Sequence, residues 1–208
     1  MQNKRKPIFF TSDWHIGHQN SLNFDNRPFR DLEHMHKSLI KRYNSVVPKD
    51  GICYFLGDVG LCSGDIISNT IHQLNGTKIL ILGNHDKGIN AMYSYGFDVV
   101  LYSASVYIAK ERVTMTHCPL RGLYREDTKG MHNTDGTENW HGEKRHEKFS
   151  ITNEGQFHLH GHIHSPNQGK STKILGRQYD VGLPANNYTP VSLGTIESWI
   201  TKTKREEQ

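Results

Sequence analysis

The sequence predicts an α/β protein built on a largely parallel sheet. Two observations carry that expectation. In the first half, short apolar runs alternate with segments of helical periodicity, and strand–helix–strand order builds βαβ units. In the second half, apolar runs follow one another with little helical pattern between them, so strands dominate there.

The first strand is Ile8-Phe9-Phe10, followed by the polar Thr11-Ser12-Asp13. Asp31 is placed to cap a helix in which Leu32, Met35, Leu39, Ile40 and Tyr43 recur on one face, before Pro48 and Gly51 break the chain. Ile52–Leu56 reads as a second strand, ending in Gly57-Asp58. Ile67, Ile71 and Leu74 mark a shorter helix, and Lys78–Leu82 a third strand that ends in Gly83-Asn84-His85-Asp86. Phe97–Tyr102, Ser105–Ala109, Val113–Thr116 and Phe157–His160 follow as strands, with Ile174–Leu175 and Tyr179–Leu183 as the last candidates. Ser192–Ile200 carries Leu193, Ile196 and Ile200 on one helical face, and Lys202–Gln208 is expected to fray. Residues 120–156 are polar and rich in Gly, Asn and Thr; they read as a long surface insertion in a single domain spanning 1–208.

A chain of 208 residues is long enough to bury a core without staples. Mean hydropathy is −0.67, yet aliphatic and aromatic residues cluster in runs, which argues against a disordered chain. No apolar stretch approaches the ~20 residues of a membrane span. Ile8–Ser12, after the basic N-terminus, is too short for a signal-peptide core, so a soluble cytoplasmic protein with no membrane partner is expected. Cys53, Cys62 and Cys118 form an odd set without CxxC, and no disulfide framework is expected. A net charge of +4 suits an anionic substrate without demanding nucleic acid. The unusual feature is 14 histidines, a number that points to metal ligation.

The apolar runs end in one kind of chemistry. They terminate in Asp13-Trp14-His15, Gly57-Asp58, Gly83-Asn84-His85-Asp86, Thr116-His117-Cys118 and Gly161-His162-Ile163-His164. Ligands of open α/β sheets bind at the carboxyl ends of the strands. Five segments thus bring Asp13, His15, Asp58, Asn84, His117, His162 and His164 to one rim. Seven oxygen and nitrogen donors without thiolate suit two metals sharing a carboxylate, and imidazole with carboxylate favours Mn, Fe, Zn, Ni or Co over Ca or Cu(I).

The ordered set D-x-H, G-D, G-N-H-D, H and G-H-x-H resembles the calcineurin-like metallophosphoesterase superfamily. The likeness runs from Ile8 to about Leu193. It is nearest to a small bacterial and phage branch of predicted phosphoesterases. Members of that branch open like Ser12-Asp13-Trp14-His15-Ile16-Gly17-His18-Gln19-Asn20. They carry pieces like Asn26-Arg27-Pro28-Phe29 and like Val181-Gly182 through Asn187-Tyr188-Thr189-Pro190-Val191-Ser192-Leu193. The resemblance implies a four-layer α/β/β/α sandwich of two mixed sheets flanked by helices. It implies that Asp13, His15 and His164 hold one metal, that Asn84, His117 and His162 hold the other, and that Asp58 bridges them. By the same resemblance, His85 is the general acid over the phosphoryl group and Asp86 sits behind it to orient it. Two divalent transition metals are implied, with Mn2+ the first expectation and Ni2+, Fe2+, Zn2+, Co2+ or Mg2+ the alternatives.

The reaction so implied is attack of a metal-bridging hydroxide on phosphorus, with no phosphoenzyme. A phosphodiesterase acting on a nucleotide, a cyclic nucleotide or a nucleic-acid end is the first reading. The second is a phosphomonoesterase acting on a small metabolite or phosphoprotein. The third is a non-catalytic metal-bound scaffold; such scaffolds lack the acid histidine that this chain keeps in His85. His18, Arg27, Arg121 and Arg125 are candidate substrate contacts, because Arg binds phosphate bidentately and His18 follows the first motif closely. His158 and His160 share the strand face of His162 by period two and are expected to pack or to support ligands. His34, His36 and His72 fall in helix patterns. His132, His141 and His146 fall in the insertion. Cys118 reads as a small buried residue. The basic stretches Lys4–Lys6 and Lys202–Arg205 read as solubilising ends.

Overall fold

The computed structural model describes residues 6–121, 147–166 and 176–208. In chain order its strands are β1 (Ile8–Thr11), β2 (Ile52–Phe55), β3 (Thr77–Ile81), β4 (Val99–Leu101), β5 (Ala104–Ile108), β6 (Glu111–Met115), β7 (Phe157–His160), β8 (Gln178–Asp180) and β9 (Val191–Ser192). The helices are α1 (Gln19–Phe24), α2 (Leu32–Val46), α3 (Gly64–Ile71), α4 (Ile89–Ser94) and α5 (Leu193–Glu206). One sheet has the order β4-β3-β2-β1-β9, and the other β5-β6-β7-β8. β1 to β4 are parallel, whereas β9 runs antiparallel beside β1. In the second sheet β5 is antiparallel to β6, and β6, β7 and β8 are parallel. Both sheets are therefore mixed, and helices flank them in the sandwich that the sequence leads one to expect.

Period two sorts the first sheet into two cores. Cys53, Phe55, Leu80 and Leu82 face the helices, where they meet Met35, Leu39, Tyr43, Ile67, Ile71 and Met92. Phe10, Leu56 and Ile81 face the other way, onto Val113, Met115, Phe157 and Leu159 of the second sheet and Ile196 and Ile200 of α5. Burying one such side chain contributes about 1.5–3 kcal/mol, so each sheet face is strongly specified. α2 begins at Asp31 because its carboxylate accepts the His34 N–H at 2.8 Å. α5 begins at Ser192, whose hydroxyl accepts from Thr195 N–H.

Two expectations need correction, and two short helices carry no signal in the sequence. The C-terminal residues do not fray: α5 continues to Glu206, tied by Lys204 to Glu111 and by Lys202 to Glu206 at 3.7 Å. α1 and α4 were not foreseen, since six residues are too few to show a period. Nor is the 120–156 stretch surface loop throughout, although Thr152, Glu154 and Gly155 near its end are exposed. Phe149 is buried, its carbonyl accepts the Cys118 N–H, and the Ile151 carbonyl accepts the Arg121 N–H. Residues 122–146, with Arg125, His132, His141 and His146, lie outside the described residues, as do Lys4, Arg5, Ile174 and Leu175. Among the described residues no helix is long and apolar enough to cross a membrane.

His158 is fully buried on β7, with its ring nitrogens on Thr114 Oγ1 at 2.9 Å and Thr116 Oγ1 at 3.1 Å. Burial, and then the neighbouring His160, push its pKa from 6.5 down to about 3. The folded state therefore disfavours a proton that the unfolded chain accepts, and stability present above pH 6.5 is lost as pH falls. This group alone should remove about 2 kcal/mol between pH 7 and pH 5. Urea titrations of chelated protein at the two pH values should show a pH-dependent loss smaller by that amount in His158→Gln.

Candidate metal centre

The donors do converge. Each follows the carboxyl end of a parallel strand: Asp13 and His15 after β1, Asp58 after β2, Asn84 after β3, His117 after β6, and His162 and His164 after β7. Five of the seven, Asp13, His15, Asp58, His162 and His164, have φ between 47° and 71°. That left-handed region is uncommon for residues with a Cβ, and such strain gathers at functional sites.

The loops approach so closely that glycine is required beside the donors. A Cβ on Gly161 would strike Ser12 Oγ and Asp13 Oδ2, and one on Gly57 (φ +90°) would lie 2.6 Å from both Gly83 Cα and His117 Nδ1.

Two groups of side chains result. In the first, His15 Nε2 and His164 Nε2 stand 3.0 Å apart, and Asp13 Oδ1 is 3.4 Å from His164 Nε2. In the second, Asn84 Oδ1 lies 2.9 Å from His117 Nε2 and 3.1 Å from His162 Nδ1. Asp58 stands between them, with Oδ2 3.8 Å from His15 Nε2 and Oδ1 3.4 Å from His117 Nε2. The trio Asp13, His15 and His164 and the trio Asp13, Asp58 and His117 each gather their ligand atoms within 4.8 Å.

This donor set fits divalent cations. Two imidazole nitrogens 3.0 Å apart need a cation or a proton between them. Burial alone would raise the Asp13 and Asp58 carboxyls, yet the imidazoles facing them, His164 foremost for Asp13 and His117 for Asp58, hold both below the ordinary carboxylate range. Burial likewise disfavours imidazolium, but Asp13 raises His164 to about 10 and Asp58 raises His117 to about 9. Protons on these rings stand where a metal would supply the charge, and metal binding would release them. The ring nitrogens turned away from the centre are also held: His117 Nδ1 meets the Leu56 carbonyl at 2.6 Å, and His164 Nδ1 meets Asp25 Oδ1 at 2.7 Å. Metal-bound histidines usually have such an outer partner. Cys118 is within reach of His117 and His162, but burial pushes its thiol pKa up, which keeps it protonated.

No protein-family model matches the chain. It is 28% identical over 203 residues to an uncharacterized protein, MJ1445, of Methanocaldococcus jannaschii, covering 96% of this chain and 94% of that one. It is 33% identical over 192 residues to the Gene 66 protein of Mycobacterium phage L5, covering 85% and 86%. The chain belongs to the Gene 66 protein family. A solved structure similar to this Gene 66 family member is AQ665 from Aquifex aeolicus, a protein of unknown function. It has a TM-score of 0.66 and 23% identity, covering 95% of this chain and 99% of that one. That likeness shows the fold. Yfce, a phosphoesterase from E. coli, aligns at a TM-score of 0.39 and 15% identity over 86% and 79% of the two chains, too slight a likeness to bear on function.

The remaining predicted site residues divide. His85 lies at the mouth: 45% of its side chain is exposed, and its Nε2 is 3.9 Å from Asp58 Oδ2. The His18 ring lies 5.5 Å from that of His15, which is 5.9 Å from that of His85. Asp86 does not meet the His85 ring. Its carboxylate accepts the backbone N–H groups of Gly83, Asp58 and Val59, so it clamps the two donor loops together instead. Arg27 is not a substrate contact, because its guanidinium is buried and donates inward to Asp13 O, Trp14 O and Asp25. Arg121 sits in a backbone bridge with Thr152.

Two buried acids were missed. Asp25 joins Arg27 to His164, but nothing local in the sequence marks a contact across 139 positions. Asp180 accepts from Gly182 and Ser165 N–H, and burial together with the charge of Asp13 pushes its pKa up to about 7. Arg27→Met would take from the Asp25 carboxylate its guanidinium partner, leaving only His164, and from the buried Asp13 and Trp14 carbonyls their donor. It should destabilise the chelated protein by about 3–5 kcal/mol in urea titration.

Proposed function

We propose that this chain is a metal-dependent phosphodiesterase, acting as one catalytic domain in the cytoplasm on a nucleotide, a cyclic nucleotide or a nucleic-acid end. Asp13, His15 and His164 would hold one divalent ion, with Mn2+ the first choice. Asn84, His117 and His162 would hold the other, with Asp58 shared. The observation that supports this most is the place of Asp58, one carboxylate oxygen toward His15 and the other toward His117. Two bound divalent ions would neutralise phosphate oxygens and acidify water.

The chain's own residues supply the rest. In the net reaction a water oxygen bonds to phosphorus and the leaving P–O bond breaks. His85, whose side chain is half open to solvent, would give a proton from Nε2 to the leaving oxygen. His18, whose ring lies 5.5 Å from that of His15, would flank the substrate. With Arg27 turned inward, its guanidinium is not available to a second phosphate charge. A diester brings one negative charge and a monoester two, which favours the diester.

The test is hydrolysis of bis-p-nitrophenyl phosphate and p-nitrophenyl phosphate side by side, after chelation and reloading with Mn2+, Ni2+, Zn2+ or Mg2+. Diester turnover restored by Mn2+ is the expected result. A preference for the monoester would make the protein a phosphatase, and no turnover with two ions bound per chain would favour a scaffold.

A further inference from the structure

Two motifs stand outside the metal donors, Asn26-Arg27-Pro28-Phe29 and Asn187-Tyr188, and the fold joins them behind the first donor group. The Tyr188 ring packs edge-on against Phe29, with centroids 5.1 Å apart, and the Arg27 and Arg42 guanidinium groups lie 5.9 Å and 6.0 Å from its centre. Arg42 also donates to the Asn187 carbonyl at 2.7 Å. Arg27 is thereby sealed from water, and its five N–H donors are all engaged. Nε and Nη2 donate to Asp25 Oδ2 at 2.9 Å and 2.8 Å, and Nη2 also donates to Asp13 O at 2.9 Å. Nη1 donates to Trp14 O at 3.0 Å and to Met35 Sδ at 3.8 Å.

This division leaves Asp25 Oδ1 for His164 Nδ1, 2.7 Å away. A carboxylate only accepts, so Nδ1 must carry the hydrogen, and Nε2 is the nitrogen turned to Asp13 and His15. We propose that Asp25 and Arg27 are positioning residues that act through His164 and the Asp13 backbone to prepare the first donor group for a metal ion. The proposal rests on the two-metal reading above. Arg27 fixes which oxygen Asp25 offers, Asp25 fixes which nitrogen His164 offers, and the same guanidinium pins the strained Asp13–Trp14 turn. The second group has a separate support in the Leu56 carbonyl, so the relay serves one group and not the other.

Asp25→Asn is the discriminating variant. Its amide oxygen must still face Arg27, because turning the NH2 there would set donor against donor. The NH2 then meets His164 Nδ1 and forces the hydrogen onto Nε2, the nitrogen needed for the metal. Calorimetric titration of chelated protein with Mn2+ should show two binding steps in the wild type. Asp25→Asn should weaken one step about 10–100-fold and leave the other unchanged. In a His164→Ala background the same substitution should have no further effect on either step, since it acts through that ring.

Two unchanged steps in Asp25→Asn would overturn the relay, as would an equal loss with and without His164. A wild type that binds no Mn2+ would instead remove the two-metal reading, and this proposal with it.

Discussion

Asp58→Asn should yield a folded protein that no longer holds two metal ions and that hydrolyses the diester at least about 10³-fold more slowly. The fold should tolerate the change because Oδ1 accepts the His85 N–H at 3.0 Å, and an amide oxygen can do the same. What disappears is the negative charge of the carboxylate that stands between the two donor groups. Each group then keeps only its own ligands, and two divalent ions side by side lose the anion that offsets their repulsion. Charge stabilisation by such ions is worth several kcal/mol in the transition state, and about 4 kcal/mol corresponds to 10³ in rate. Metal content after dialysis and turnover of bis-p-nitrophenyl phosphate measure the two halves. Two ions and wild-type turnover in the variant would remove Asp58 from the shared role.

His85→Gln should separate binding from catalysis. Only its backbone N–H is bonded to Asp58, so the loop stays in place when the ring is replaced. The ring is half exposed, and stability should change by no more than about 0.5 kcal/mol. Both ions should remain bound. Turnover of a diester with a poor, alkoxide leaving group should fall by about 10²–10⁴, the usual worth of a positioned acid. A p-nitrophenolate leaves without a proton, so the same variant should lose much less on that substrate. The ratio of the two losses is the measurement, and equal losses would mean that His85 does not protonate the leaving oxygen.

Much of the centre was legible because its signals are local. Asp58, Asn84 and His162 each lie within four residues of an apolar strand, and a strand end in a parallel sheet is where ligands gather. What escaped depends on distance along the chain. Asp25 looks like a turn residue until it meets His164, 139 positions later. Arg27 looks like a phosphate ligand until its donors are seen to face inward, onto carbonyls that no pattern announces. Asp86 sits beside His85 in sequence, yet its partners are backbone N–H groups of a neighbouring loop, and backbone groups leave no mark on composition. The longer α2 and α5 were visible through their period and their caps, whereas α1 and α4 depend on packing alone.

The left-handed backbone at Asp13, His15, Asp58, His162 and His164 sets stability against function. A left-handed residue with a Cβ costs roughly 1–2 kcal/mol, somewhat less for Asp and His, and five together are comparable with the whole margin by which a domain stays folded. Mutational drift under selection for thermal endurance alone would replace these positions with glycine first. The centre would then be erased while the sandwich around it grew hardier.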